Sequence, residues 1–220
     1  MIARLLAITP PVGPVPTTCV EVAADLGIPV SVLLRDPGTD LGEGLRPDAR
    51  MGPLLRAARD AGVSVLASCA GADLERSAAI AQNAGLHGLQ LRGDPSDAEL
   101  LRARAAWPGA VLGASVHGAA RPVAADYLLF APVFAPRTTA AFTKSPAGLK
   151  PLAAWSALHP RVFALGGVTP QTAEACAKTG AYGLSGISTF FGSADTLADT
   201  LRALAAALTS APDVSPRPRG

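Results

Sequence analysis

The feature that most narrows the fold of this chain is a repeated alternation. Eight short apolar runs occur at residues 4–8, 29–34, 63–67, 88–91, 110–115, 127–130, 162–165 and 182–187, each bounded by turn residues. Their hydrophobicity is continuous rather than alternating, as expected of parallel strands covered on both faces. Ala/Leu-rich stretches between them read as helices. The first starts at a Thr18 cap and ends before Gly27. The second starts at Asp48 and ends before Gly62. The others span 73–84, 96–106, 119–125 (short, with Pro122 inside it), 149–158, 170–178 and 193–208. Ser96 with Glu99 three residues on has the capping-box pattern, and Thr169-Pro170 places a cap before a proline at the first helical position. Eight strand-then-helix units at about 27 residues each fit a closed (β/α)₈ barrel, a TIM barrel. Doubly wound sheets alternate in the same way, so the period alone leaves both architectures open.

No linker divides the 220 residues, so residues 1–210 read as one domain and 211–220, rich in Pro and Arg, as a disordered tail. Residues 38–52 are Gly-rich and read as a mobile loop over one end of the domain. Hydrophobic residues at 49% supply a large core. A net charge of +2 with scattered Lys and Arg gives no basic stripe for nucleic acid, and no apolar run is long enough for a membrane. Prolines 10, 11, 14 and 16 soon after the start argue against a signal peptide, and a cytoplasmic location is expected. Cys19, Cys69 and Cys176 have no metal-ligand spacing and read as reduced, buried thiols.

Chemistry is expected at the C-terminal ends of the strands. Gly166-Gly167 follows the seventh run and precedes the Thr169 cap, so backbone N–H groups there could receive an anion. An ordinary tight turn would look the same. Residues 183–188, ending in Ile187-Ser188, close the eighth run. The loops after the last two strands form the usual phosphate site of such barrels. Ser115-Val116-His117 ends the fifth run. An imidazole there can exchange protons near neutral pH, although a helix-start hydrogen bond would also account for it. His87 and His159 fall at the other end and read as structural. Arg35 after the second run is either a solvated charge or an anion partner. Gln90 inside the fourth run needs a partner if it points inward. Lys144 is either a loop cation or a substrate contact.

Four segments then carry a resemblance: Gly113-Ala114-Ser115-Val116-His117; Ala125-Asp126-Tyr127-Leu128-Leu129-Phe130-Ala131-Pro132-Val133-Phe134; Ala164-Leu165-Gly166-Gly167-Val168-Thr169-Pro170; and Gly180-Ala181-Tyr182-Gly183. Over residues 113–193 the chain resembles thiamine phosphate synthase and the related TenI-type thiazole tautomerase. The resemblance implies the barrel, a phosphate cradle of Gly167, Ile187 and Ser188, and thiamine biosynthesis as the setting.

The two activities imply different residues. The synthase joins a pyrimidine pyrophosphate to a thiazole phosphate with Mg²⁺ held by carboxylates. At the matching positions this chain has Leu33-Leu34-Arg35-Asp36-Pro37, Ser68-Cys69 and Gln90-Leu91-Arg92-Gly93-Asp94, with Asp94 out of register. Thiol and guanidinium groups suit Mg²⁺ poorly. The tautomerase is similar in having Gln-Leu in the fourth strand and a Ser-Val-His triplet that holds its catalytic His. The reading is therefore a tautomerase-like isomerase with His117 as the proton-transfer residue and no metal or other cofactor; Mg²⁺ would be needed only if the synthase reading held. Arg35, Gln90, Ser115, Lys144, Gly166, Gly167, Ile187 and Ser188 would contact a small phosphorylated thiazole. A homodimer is compatible with the sequence. The alternatives are the synthase, a transferase, and a non-catalytic binder of thiamine or thiazole phosphates.

Overall fold

The computed structural model describes residues 1–13, 15–35, 41–46, 48–135 and 145–210. Its eight parallel strands are β1 Leu5–Ile8, β2 Val30–Leu34, β3 Ser64–Cys69, β4 Gly88–Leu91, β5 Val111–Val116, β6 Tyr127–Phe130, β7 Val162–Ala164 and β8 Gly183–Gly186. They pair in sequence order, and β8 returns to β1, so the sheet is a closed barrel. The doubly wound alternative is thereby removed. Around it run α1 Thr18–Asp25, α2 Leu41–Gly44, α3 Gly52–Asp60, α4 Leu74–Asn83, α5 Asp97–Ala106, α6 Leu149–Leu158, α7 Pro170–Lys178, α8 Ser188–Phe191 and α9 Leu197–Thr209.

The side-chain period of two sorts each strand between two cores. Inside the barrel lie Leu6, Ile8, Leu33, Leu66, Tyr127, Leu129 and Phe163. The residues between them, such as Ala7, Val32, Leu34, Ala67, Leu89 and Leu128, pack against the helices. Each fully buried Leu or Phe contributes about 1.5–3 kcal/mol. Inside the barrel, glycine makes room for the rings. A Cβ at Gly113 would lie 2.2 Å from Tyr127 Cζ, and Tyr127 stacks edge-on against Phe163 at 5.5 Å.

Five local expectations are corrected. No helix forms over 119–125: Pro122 lacks an N–H, and the preceding turn is held by the Trp155 indole, which donates to the Gly118 carbonyl at 3.3 Å. The N-cap of α1 is Thr17 rather than Thr18. The N-cap of α3 is Met51 rather than Asp48, because Pro53 fixes the first turn there. The expected 38–52 loop is partly ordered structure. Leu41–Gly44 is helical, Met51 is fully buried, and the Arg50 guanidinium donates to the carbonyls of Gly13 and Pro10. Residues 38–40 and 47 lie outside the described residues. The last expected helix, 193–208, starts later, as α9 from Leu197 to Thr209, and a separate short helix, α8, precedes it at Ser188–Phe191. The tail 211–220 also lies outside the described residues.

Candidate functional site

The C-terminal ends of the strands collect most of the residues singled out above. After β7 the chain turns through Gly166 at φ 93° and Gly167 at φ 62°, left-handed values that favour glycine. The space there is occupied by the segment after β6. A Cβ on Gly167 would sit 2.7 Å from the Ala135 carbonyl oxygen and 2.7 Å from Phe134 Cβ. Phe134 N–H donates to the Gly166 carbonyl at 3.0 Å. The glycines are thus required first by packing of the β6 loop on the β7 loop. Thr169 caps α7 in a reciprocal arrangement with Thr172, and the Thr189 hydroxyl donates to the Val168 carbonyl at 2.6 Å, tying α8 to this turn. Among the described residues, the backbone N–H groups of Gly167, Ile187 and Ser188 have no hydrogen-bond acceptor. β7 and β8 are neighbours, so these three donors come from adjacent loops. A cleft of about 550 Å³ beside them is lined by Thr169, Gln171, Ser188, Thr189, Ser193 and Thr200. His117 does not line it.

At the end of β5, Ser115 is half-buried on the inward parity and His117 follows it. Asp94 reaches His117 twice. Its Oδ1 accepts the His117 backbone N–H at 2.6 Å, and its Oδ2 lies 2.7 Å from the ring Nδ1. Asp94 itself sits at φ 57°, following Gly93 at φ 79°, in the short turn between β4 and the Ser96 cap of α5. Its N–H donates to the Ser115 carbonyl at 3.1 Å. Asp94 was legible only as a metal ligand out of register. The signal that could have found its actual partner is the Gly-Asp pair before Pro95-Ser96, since Asp tolerates the left-handed region.

Gln90 is fully buried in β4. Its amide donates to the Ser115 hydroxyl at 3.1 Å and to the Leu91 carbonyl at 3.3 Å, while its Oε1 has no partner among the described residues. Tyr127, fully buried nearby, also leaves its hydroxyl unpaired, and burial pushes its phenol well above the ordinary range.

Arg35 and Arg92 follow β2 and β4, on either side of β3. Each is half-buried, and neither guanidinium has a carboxylate partner among the described residues. Burial first, and the charge of Arg92 second, hold the Arg35 guanidinium below its ordinary range. Arg35 is anchored through its N–H, which donates to the Thr9 hydroxyl at 2.8 Å.

Cys69 is not in the mouth. It belongs to the layer between sheet and helices, where burial pushes its thiol up to about 11. Cys19 and Cys176 are likewise buried and pushed up to about 12. His87 accepts the Val65 N–H through Nδ1, and His159 is bonded to Ala125 and Arg161, both away from the mouth as expected. Lys144 lies outside the described residues.

Both oxygens of Asp94 are engaged by His117, and no group of three His, Cys, Asp or Glu among the described residues could hold a metal. No described helix is long and apolar enough to cross a membrane.

A protein of Aquifex aeolicus described as "Putative thiamine-phosphate synthase 2" is 36% identical over 89 residues, covering 38% of this chain and 47% of that one. The match thus spans less than half the length of that relative. Thiamine phosphate pyrophosphorylase from Pyrococcus furiosus superposes with a TM-score of 0.68 at 19% identity, covering 94% and 95% of the two chains. A 3-hexulose-6-phosphate synthase gives 0.58 at 18% identity, covering 93% and 99%. These two structural likenesses speak for the barrel alone. Residues 17–190 match the family described as thiamine monophosphate synthase, and the chain belongs to that thiamine phosphate synthase/TenI family.

Proposed function

We propose that this family member is a thiazole tautomerase-like isomerase that acts without a metal, converting a non-aromatic carboxythiazole phosphate into its aromatic tautomer. The observation that carries the reading is the charge at the ends of β2 and β4. Arg35 stands at a pyrophosphate-binding position where the synthase resemblance implies an Arg as well, whereas Arg92 stands where it implies a Mg²⁺ carboxylate, and neither guanidinium has a carboxylate partner among the described residues. That charge repels a divalent cation and attracts an anionic substrate.

The substrate's phosphate would be received by the N–H groups of Gly167, Ile187 and Ser188, helped by the cleft hydroxyls. Its carboxylate would face Arg35 and Arg92. Anchoring both ends fixes the ring between them and supplies orientation. One proton then leaves a ring carbon and one is returned to a conjugated carbon, so the net change is an isomerisation. His117 can serve as base and then as acid. Ser115, half-buried beside it, would donate to the ring, and Gln90 would hold Ser115. The group transfer of the synthase is the second reading, favoured by the family match itself.

The test is direct. Tautomer conversion by the wild type, unchanged by chelators, supports the proposal, and His117→Asn should lower it by about 10²- to 10⁴-fold. Mg²⁺-dependent formation of thiamine phosphate would replace it with the synthase. Heat protection by the ligand without turnover would leave a binder.

A further inference from the structure

We infer that Asp94 is a positioning residue that sets the tautomer and aim of the His117 ring, an inference that rests on His117 being the proton-transfer residue. The geometry is specific. One carboxylate oxygen holds the His117 main chain at 2.6 Å and the other faces Nδ1 at 2.7 Å, so the ring is clamped relative to its own backbone. A carboxylate only accepts hydrogen bonds, so in the neutral ring the proton between them sits on Nδ1. The lone pair is then on Nε2, the nitrogen left to take a proton from substrate.

The turn carrying Asp94 is built to hold this carboxylate. Gly93 and Asp94 are both left-handed, the Asp94 N–H is tied to the Ser115 carbonyl, and buried Pro95 leads into the Ser96–Glu99 capping box of α5. Aspartate accepts a left-handed backbone better than most residues, but glycine would accept it more easily still. An acidic side chain kept there is consistent with a need for its oxygens.

The experiment uses the full-length chain. ¹⁵N-edited spectra of the imidazole nitrogens report the tautomer directly, with His117→Asn assigning the His117 signals among the three histidines. The neutral wild-type ring should carry its proton on Nδ1. In Asp94→Asn the side-chain oxygen can keep the backbone bond, while the amide now offers a donor to Nδ1, so the proton should move to Nε2. Turnover should fall by about 10²- to 10⁴-fold with little change in KM. Asp94→Gly relieves the left-handed backbone and should fold, yet be as slow. A wild-type ring protonated on Nε2 overturns the inference. So does wild-type turnover in both variants. If the wild type shows no tautomerase activity but the proton still shifts in Asp94→Asn, the proposed reaction fails and the positioning role stands.

Discussion

The amide of Gln90 donates to the Ser115 hydroxyl at 3.1 Å inside the barrel, while its own oxygen and the nearby Tyr127 hydroxyl are left without partners among the described residues. An unsatisfied buried acceptor costs about 1–3 kcal/mol, so this glutamine is a poor choice for stability. Gln90→Leu should therefore melt at the wild-type temperature or above it. If Gln90 serves to hold Ser115 toward substrate, the same variant should bind a thiazole phosphate about tenfold more weakly. Calorimetric unfolding and ligand titration on one preparation check both halves.

Arg35→Ala and Arg92→Ala should each weaken binding of a carboxylated thiazole phosphate by roughly tenfold to a hundredfold, the range for a charge-assisted hydrogen bond. The analogue lacking the carboxylate should bind all three proteins about equally. Equal losses for both ligands would put the guanidiniums on the phosphate instead.

Gly167→Ala should lower thermal stability, because its φ of 62° disfavours a side chain and the new Cβ would press on the Ala135 carbonyl. A cost of about 1–3 kcal/mol is expected. Loss of phosphate binding should accompany it, since the displaced turn carries one of the three donors. A full-strength phosphate site in this variant would move the anion elsewhere.

His159 gives a pH dependence of stability. Burial, the largest influence, lowers its pKa below 6.5, and the neutral ring donates from Nε2 to the Ala125 carbonyl while Nδ1 accepts the Arg161 N–H. As pH falls through about 6.5, the unfolded chain takes up a proton that the folded ring resists, so stability falls with pH in that window. His159→Gln should flatten the melting temperature between pH 7 and pH 5. An unchanged slope would assign it to other groups.

The barrel was legible because its signals are local: continuous apolar runs, the Ser96–Glu99 box, and Thr169-Pro170. What the sequence hid depends on parity and on turns. Ser68 and Cys69 are adjacent, and only the register shows that Ser68 has the inward parity of Leu66 while Cys69 faces the helices. The Asp94–His117 pair joins loops 23 residues apart through two left-handed residues, which no periodicity announces. The missing fifth helix was a Pro-interrupted stretch whose alanines suggested more helix than its backbone could form.

Barrel closure has a consequence for how the protein is made. The first strand is sealed by the last: Leu184 N–H donates to the Arg4 carbonyl, and the Arg4 guanidinium reaches the Tyr182 carbonyl at 2.7 Å. A chain leaving the ribosome amino end first carries β1 long before β8 exists, and partners so distant in sequence form contacts slowly. Gly167, Ile187 and Ser188 emerge in the same late portion. If these three donors hold the phosphate, as proposed, a phosphorylated ligand finds no complete cradle on a nascent chain until the loops after both β7 and β8 have left the ribosome.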